Sequence, residues 1–163
     1  MQPLRDGVVD LETGVIEALT ASELRVQVLF RDRYVGVVRS QHPLSQEAIT
    51  TASYAAGKHI FVSRAGLDEG PIDEALRSLG LKRKIVIIVS GFLTALGLVR
   101  GSDLIASVPE RHTANLRQGM FSFPLPVSTA QFTVSFLWHP RLGADPSHRW
   151  LRKRVIGICA KPT

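Results

Sequence analysis

The chain has little cysteine and no long apolar run. Its one cysteine in 163 residues, Cys159, cannot form an internal disulfide, which agrees with a reducing compartment. Ser90, Arg100 and Asp103 interrupt the longest apolar stretches well before the roughly 18 residues that a transmembrane helix needs. The N-terminus also lacks a basic region followed by an apolar one, which is the pattern of an export signal. The sequence therefore predicts a soluble protein of the cytoplasm.

Signals for metal binding and catalysis are missing as well. The five histidines are scattered along the chain without a close histidine or cysteine neighbour, so the spacing of metal ligands is absent. The sequence has no G-x-S-x-G elbow, no P-loop and no G-x-G-x-x-G turn. These absences predict a protein that is not an enzyme and that needs no metal or cofactor.

Positive charge is in excess, with a formal net charge of +6 at pH 7. Most of the excess lies in two short clusters, 82–84 and 149–154. A short basic cluster is more often the solvated face of a helix than a track for nucleic-acid phosphates. Direct binding of nucleic acid by this chain is therefore not expected.

The stretch 84–109 has the clearest pattern of secondary structure in the sequence. The β-branched run 85–89 is too short and too branched for a stable helix, so it predicts a strand that is covered on both faces. Apolar residues at helical spacing follow from Phe92 to a closing Gly101, and 104–108 predicts a second buried strand. Strand, helix and strand in this order form a βαβ unit, which requires a parallel sheet.

The turn between the first strand and the helix of this unit is a candidate ligand site. In open parallel sheets, ligands lie beyond the carboxyl ends of the strands, against helix N-termini. Ser90, Gly91 and Phe92 occupy that position, and free backbone N–H groups there would favour an anionic group. Many strand-to-helix turns bind nothing, so this stretch alone leaves the question open.

The rest of the chain continues the alternation of strands and helices. Apolar and alternating runs predict further strands at 8–15, 24–30, 34–39, 58–63, 121–125 and 131–138. Helices are predicted from Ser45 as N-cap to residue 55, from Pro71 to residue 79, from Pro109 to residue 117, and after Pro146. This alternation predicts an α/β fold.

Four segments of the sequence resemble one protein family. They are VGVVRSQHPL at 35–44, HIFVSRAG at 59–66, SGFLTALGLVRGSDLIASVPER at 90–111 and FLWHPRLGADPSHRWLR at 136–152. Their order and spacing resemble the effector-binding domain of LysR-type transcriptional regulators over essentially the whole chain. The WHPR and HRWLR motifs look closest to the branch of nodulation and salicylate-responsive regulators.

The resemblance implies a fold like that of the type 2 periplasmic binding proteins, with two α/β subdomains joined by two crossing segments. Subdomain I would comprise 1–40 and 107–163, subdomain II would comprise 41–106, and the effector would bind in the cleft between them. The family's domain normally begins with a strand, a helix and a strand before the match to GVVDLETG at 7–14. The N-terminal part of subdomain I is therefore expected to be missing, through a misassigned start, a cut chain or a natural fragment.

Two turns of subdomain II face the effector in that family. The matching ligand-binding candidates in this chain are His59, Ser63, Ser90, Gly91, Phe92 and Thr94. The salicylate-responsive branch has an effector-contacting histidine that matches His59, although a lone histidine is as often structural. That branch has a second histidine where this chain has Gly91, so the same effector is not implied. Arg64 could add charge to the site if it turns inward.

The remaining motif residues are interpreted as structural. Trp138 and Trp150 are expected to pack in the interior, whereas turns and helix starts are expected to contain His42, His139, Arg141 and His148. Phe92 could either stack on a ligand ring or fill the core.

The function implied by the resemblance is that of an effector-sensing regulatory domain that binds a small acid, aromatic or otherwise organic. It would form a homodimer or homotetramer, partly through the helix at 71–79. It would reach DNA only through a winged helix-turn-helix domain that this chain lacks. The alternative is a stand-alone solute-binding protein of the periplasmic type. An enzyme on the same scaffold would need a nucleophile and a base at interpretable spacing, which the sequence does not offer.

Overall fold

The computed structural model describes residues 2–15, 23–63, 67 and 69–159. Its helices are α1 Gln2–Asp6, α2 Thr51–Ala56, α3 Pro71–Ser78, α4 Phe92–Arg100 and α5 Pro146–Cys159. Its strands are β1 Glu12–Val15, β2 Arg25–Asp32, β3 Tyr34–Arg39, β4 Lys58–Val62, β5 Lys84–Val89, β6 Leu104–Pro109, β7 Met120–Pro124 and β8 Phe132–Trp138. Short 3-10 turns lie at Pro43–Ser45, Ala114–Arg117 and Pro140–Leu142. The chain forms two compact units, one of residues 33–130 and one of residues 1–32 with 131–163.

The larger unit contains a five-stranded sheet in the order β5-β4-β6-β3-β7. β4 pairs in parallel with both β5 and β6, and β3 pairs antiparallel with β6 and β7. The predicted βαβ unit of β5, α4 and β6 is confirmed, and β4 lies between its two strands. The carboxyl ends of the three parallel strands therefore lie at the same end of the sheet, which is the end at which α4 begins.

Helices cover both faces of this sheet. Ile60 of β4 and Ala106 of β6 pack in one apolar cluster with residues of α4. Ile105, the neighbour of Ala106, packs in a second cluster with Tyr54 of α2 and Leu76 of α3. Because successive side chains of a strand point to opposite faces, α4 lies on one face of the sheet and α2 and α3 lie on the other.

β5 corrects one prediction from the sequence. The strand was expected to be covered on both faces, but Val86, Ile87 and Ile88 are 38%, 36% and 48% exposed. The reason is the strand order, since among the described residues β5 pairs only with β4 and so forms an edge of the sheet. A β-branched run of this length looks the same in an edge strand as in a central one.

The helix predicted from Ser45 begins later than expected. Ser45 lies in a 3-10 turn whose N-cap is His42, since Nδ1 of His42 accepts the Leu44 N–H at 3.0 Å. The Ser45 hydroxyl donates a hydrogen bond to the His42 carbonyl at 2.7 Å, so it does not cap a helix. α2 starts after Thr50, whose hydroxyl accepts the Ser53 N–H at 3.1 Å while the Ser53 hydroxyl accepts the Thr50 N–H at 3.0 Å. This reciprocal capping box fixes the start of α2.

The helix predicted to start at Pro109 is also wrong. Pro109 is the last residue of β6, where it pairs with Tyr34 of β3. The segment that follows forms only the 3-10 turn Ala114–Arg117. The guanidinium of Arg117 donates to the Glu110 carbonyl at 2.7 Å, which ties the segment into a loop instead of a helix.

The larger unit, 33–130, extends beyond the predicted subdomain II of 41–106. β3 and β7 lie outside the predicted range, yet both pair within the sheet that contains β6. Pairing with the rest of the sheet places both strands in this compact unit.

The smaller unit contains a three-stranded antiparallel sheet in the order β1-β8-β2. Trp138 at the end of β8 is buried, and Cζ of Arg152 from α5 lies 4.4 Å from its ring centroid. Nε2 of His148 lies 3.0 Å from the Asp10 carbonyl oxygen. Arg141 donates to two carbonyls of α1, at 2.8 and 2.9 Å. The structural roles predicted for Trp138, Arg141 and His148 are confirmed.

Other details differ from the sequence predictions. Trp150 was expected in the interior but is 59% exposed, because α5 turns His148 and Arg152 inward instead. Leu79 is also 59% exposed and lies beyond the end of α3. The short helix α1 was not predicted. The strand predicted at 8–15 is shorter in the structure and comprises only Glu12–Val15, which is β1. Among the described residues, no helix combines the length and the apolarity that crossing a membrane requires.

Candidate functional site

The candidate site lies where β4 and β5 end and α4 begins. The two strands are parallel neighbours that end at Val62 and Val89. Gly91 is the N-cap of α4, and no side chain in the described part of the chain caps this helix. The N–H groups of the first turn of a helix need partners from outside the helix, and they attract negative charge. This end of α4 can therefore donate hydrogen bonds to an anionic group.

The structure brings four of the predicted residues to the ends of β4 and β5 and the start of α4. Ser63 follows β4, and its backbone N–H donates to the Val89 carbonyl at 2.9 Å. Ser90 and Gly91 come directly after Val89, with the Ser90 side chain exposed. A side chain at Gly91 would meet no described atom within 4 Å, so there is open space above the turn. Phe92 is half-buried beside this space.

Thr94 is among the described residues, whereas Arg64 is not. Thr94 lies in the first turn of α4 and is exposed, so its hydroxyl is accessible from the solvent side of the helix. Arg64, which was considered as a source of charge, lies outside the described residues.

His59 is placed apart from the other candidates. It is the second residue of β4, near the amino end of the strand, and its side chain is fully buried. Its Nε2 lies 2.7 Å from the Tyr54 carbonyl oxygen, and its ring packs edge-on against the Tyr54 ring at a centroid distance of 4.6 Å. Burial lowers the pKa of His59 from 6.5 to about 4. The structure therefore gives His59 the surroundings of a neutral core residue.

A small cavity of about 30 Å³ lies beside Phe92. Its walls combine three aromatic rings with aliphatic residues and a few polar groups: Tyr34, Ile60, Phe61, Val62, Gly70, Pro71, Ile72, Arg83, Phe92 and Ser107. A cavity needs roughly 10 to 15 Å³ to hold one water molecule, so this space accepts a water or a single polar group and nothing larger.

Sequence reasoning missed several residues of this cavity. Phe61 stands within the segment HIFVSRAG, so the ends of the predicted strands were a usable signal for it. Ser107 is a polar residue within the buried run of β6, which is a second usable signal. Tyr34 is the first residue of β3 and Arg83 directly precedes β5, and only long-range contacts place them here.

A buried hydrogen bond supports the wall formed by Ser107. The hydroxyl groups of Ser107 and Tyr54 lie 2.8 Å apart. Burial raises the pKa of Tyr54, which keeps its phenol neutral and able to donate or accept. The polar part of this cavity wall is therefore anchored to α2.

Arg83 is held by a buried ion pair. Its Nε and Nη2 donate to the two carboxylate oxygens of Asp73 at 2.7 and 2.8 Å, and the two side chains are only 1% and 11% exposed. Burial alone would raise the pKa of Asp73, but the hydrogen bonds and charge of Arg83 outweigh burial and hold that pKa below its usual value. The pair is therefore charged at neutral pH.

His112 and an exposed ion pair lie at the same end of the sheet, where β6 ends and β3 begins. The His112 ring lies 6.0 Å from the Phe92 ring in an edge-on arrangement. Arg33 donates to both carboxylate oxygens of Glu110 at 2.6 and 3.1 Å, with side chains 55% and 41% exposed. The Arg33 hydrogen bonds lower the pKa of Glu110. This pair has the same chemistry as Arg83 and Asp73 but lies in solvent.

A wider groove of about 530 Å³ runs between α3 and the exposed edge of β5. Its floor is the apolar run 85–88, and its rim carries charges of both signs with basic groups in excess: Glu69, Asp73, Arg77, Lys82, Arg83 and Lys84. An exposed edge strand presents unpaired backbone groups and is a template for pairing with another chain. This groove is a candidate contact surface rather than an enclosed ligand pocket.

Comparisons with known proteins give one consistent result. A family model described as the LysR substrate binding domain matches residues 1–158. The HTH-type transcriptional regulator SyrM of Rhizobium meliloti is 34% identical over 162 residues, which cover 96% of this chain and 49% of SyrM. The HTH-type transcriptional activator NagR of a Ralstonia species is 27% identical over 159 residues, which cover 96% of this chain and 52% of NagR.

A solved structure shows the same fold. The regulatory domain of MexT, a transcriptional activator in Pseudomonas aeruginosa, matches with a TM-score of 0.77 and 28% identity, over 96% of this chain and 76% of the MexT chain. The chain spans about half the length of the curated relatives that it matches.

Proposed function

Because this chain belongs to the LysR substrate-binding domain family, we propose that it is the effector-sensing part of a transcriptional regulator. The predicted family and fold class are confirmed by the family match and by the likeness to the MexT regulatory domain. SyrM and NagR are named as helix-turn-helix regulators, so in this proposal DNA is contacted by a helix-turn-helix domain of a longer regulator that acts in the cytoplasm. The alternative of a stand-alone solute-binding protein is not favoured, because these relatives are named as transcriptional regulators.

The effector in this proposal is a small organic acid. The observation that carries it is the N-terminus of α4, which no described side chain caps and which lies beside Ser63, Ser90 and the ring of Phe92. A carboxylate would accept hydrogen bonds from the helix N–H groups, and an aromatic or aliphatic body would lie against Phe92. The adjoining cavity has room for one small polar group of the ligand, such as a carboxylate oxygen, and the body of the ligand would lie outside it.

The proposed domain acts by binding and not by catalysis. An effector that binds one conformation of the regulator more tightly than another shifts the population toward the first. The change then reaches DNA through the rest of the regulator. The position of the effector between two subdomains, expected from the family resemblance, stays a prediction, as does the subdomain division at residues 41–106.

Self-association through the groove beside β5 is part of the proposal. The exposed apolar run of β5 and the neighbouring helix α3 offer one continuous surface on each copy of the chain. A homodimer would bury the same patch on both copies, as two-fold symmetry requires. Homotetramers would need a second surface in addition.

Calorimetry with benzoate as the probe tests the ligand site. We expect benzoate to bind the native chain, and we expect Ser90→Ala to weaken binding because one hydroxyl donor beside α4 is lost. Ser128→Ala is the matched control, since it removes an exposed serine hydroxyl from a loop elsewhere in the same unit. Unchanged benzoate affinity in Ser90→Ala would contradict the site, and absence of binding to the native chain would contradict the ligand class.

A further inference from the structure

The cavity beside Phe92 is bordered by a charged side chain that does not face solvent. Arg83 lines this cavity, yet its side chain is only 1% exposed and its Nε and Nη2 are both bonded to Asp73. The two N–H groups that bond Asp73 are not available to a ligand. The presence of Arg83 in the cavity wall therefore needs another reason.

The ion pair reaches one wall of the cavity through Asp73. The Oδ2 atom of Asp73 accepts the backbone N–H of Gly70 at 2.8 Å as well as the hydrogen bond from Arg83. Gly70 is the N-cap of α3, and both Gly70 and Pro71 line the cavity. Asp73 thus fixes the position of the chain where it enters α3.

The ion pair reaches a second wall through Arg83. Cζ of Arg83 lies 5.7 Å from the centroid of the Phe61 ring, within the range of a cation–π contact. The Phe61 ring in turn lies close to Gly70, because a Cβ atom on Gly70 would be 3.2 Å from Cε2 of Phe61. The ring therefore lies against both Gly70 and the guanidinium.

Stability alone does not account for a charged pair at this place. Replacing a buried ion pair with apolar residues of similar volume is often neutral or stabilising, since burying charge removes it from water at a high cost. What apolar residues cannot supply is the chain of directed bonds from Arg83 to Asp73 to the Gly70 N–H.

We propose that Arg83 and Asp73 are positioning residues for the ligand site, which they serve by holding Gly70 and Phe61 at the spacing that sets the cavity. This inference rests on the proposed function for its ligand. Neither residue touches the ligand. Both act through the two wall residues that they bind.

The double substitution Arg83→Met with Asp73→Leu separates positioning from stability. It removes both charges together and leaves neither one unpaired in the interior. Asp73→Asn is the milder second variant, because an asparagine side chain has one acceptor oxygen in place of two and cannot carry the charge. Asp103→Asn is the matched control, since it disrupts the exposed ion pair to Arg39 at the start of β6 in the same unit.

The first measurement is free of any ligand. We expect amide hydrogen exchange at Gly70 to rise about tenfold in the double variant and in Asp73→Asn, with altered NMR signals of the Phe61 ring. Amides of β8 in the other unit, and the Gly70 amide in Asp103→Asn, should exchange as in the native chain. Native exchange at Gly70 and native Phe61 signals in a folded double variant would overturn the proposal.

The second measurement is the affinity for benzoate. We expect the double variant to stay folded and to bind about tenfold more weakly, because displaced walls no longer hold the polar group of the ligand. Equal affinity in the double variant and the native chain would overturn the positioning role. If the native chain did not bind benzoate, the proposed ligand class would fall, whereas exchange at Gly70 would still decide the role of the ion pair.

Discussion

The Nε2 atom of His59 lies 2.7 Å from the carbonyl oxygen of Tyr54, inside the larger unit. A carbonyl only accepts hydrogen bonds, so Nε2 carries the hydrogen and Nδ1 is the unprotonated nitrogen of a neutral ring. Within the described part of the chain, Nδ1 has no hydrogen-bond partner. Protonation would place an unpaired charge in the core, and this is why the pKa falls to about 4.

The first prediction concerns acid stability. The pKa of His59 is lower in the folded chain than its ordinary value of 6.5, so the unfolded chain binds the proton more readily. The free energy of unfolding should therefore fall as pH drops from about 6.5 towards about 4, by on the order of 3 kcal/mol from this residue. Urea unfolding curves across this pH range measure the change.

His59→Phe provides the comparison for that prediction. This variant has no titrating ring at position 59, so the difference in unfolding free energy between it and the native chain should follow the predicted pH curve. His112→Asn removes an exposed histidine and should keep the native slope. A native slope in His59→Phe would show that other groups cause the acid sensitivity.

The second prediction concerns the hydrogen bond between Tyr54 and Ser107. Tyr54→Phe removes the hydrogen bond between the phenol and the buried Ser107 hydroxyl, and we expect a loss of about 1 to 3 kcal/mol in the free energy of unfolding. Adding Ser107→Ala should cost less than it does in the native chain, because the unpaired hydroxyl is then removed. A double-mutant cycle by urea unfolding gives the coupling, and strict additivity would argue against the bond.

The sequence was sufficient for elements that depend on neighbours along the chain. The βαβ unit was predictable because a β-branched run, a glycine turn and helical spacing follow one another within 84–109. The position of the turn at Ser90 to Phe92, between β5 and α4, was predictable for the same reason. Its choice as a candidate ligand site came from the general rule that ligands lie beyond the carboxyl ends of parallel strands. The exposure of β5 was not, because it depends on β4 lying between β5 and β6.

The cavity walls show the same limit. Arg83 stands in the basic cluster 82–84, where the sequence indicates only a solvated surface, and its burial follows from a partner ten positions away on α3. Ser45 illustrates a local failure, because its hydroxyl has two uses in sequence, as a helix cap or as a donor to a nearby carbonyl. The structure chooses the second, and Thr50 caps the helix instead.

The third prediction concerns the close approach of β3 and β7. Gly36 and Phe123 are paired across these strands, and a Cβ atom on Gly36 would lie 2.3 Å from two atoms of the Phe123 ring. Gly36→Ala should therefore lower the free energy of unfolding by about 1 to 3 kcal/mol, because the ring must move within a packed core. Thermal or urea unfolding measures the loss.

Gly14→Ala is the control for that substitution. Gly14 also lies in a strand that pairs antiparallel, but a Cβ atom there would meet no described atom within 4 Å. It should leave stability unchanged or slightly raise it. Combining Gly36→Ala with Phe123→Leu should restore part of the loss, and a loss that is equal in both glycine variants would point to backbone effects instead.

The last prediction tests whether β5 mediates self-association. Ile88 is 48% exposed and lines the groove beside α3, so replacing it with lysine should change the fold little while placing a charge on the exposed edge. Lysine is one of the residues with which natural proteins protect edge strands, since pairing would bury its charge. Sedimentation over a range of concentrations should show the native chain associating and Ile88→Lys remaining a monomer. Leu93→Lys is the matched control, because Leu93 is 70% exposed on α4 and does not line the groove. An equal effect of both lysines, or a native chain that stays monomeric at all concentrations, would contradict association through β5.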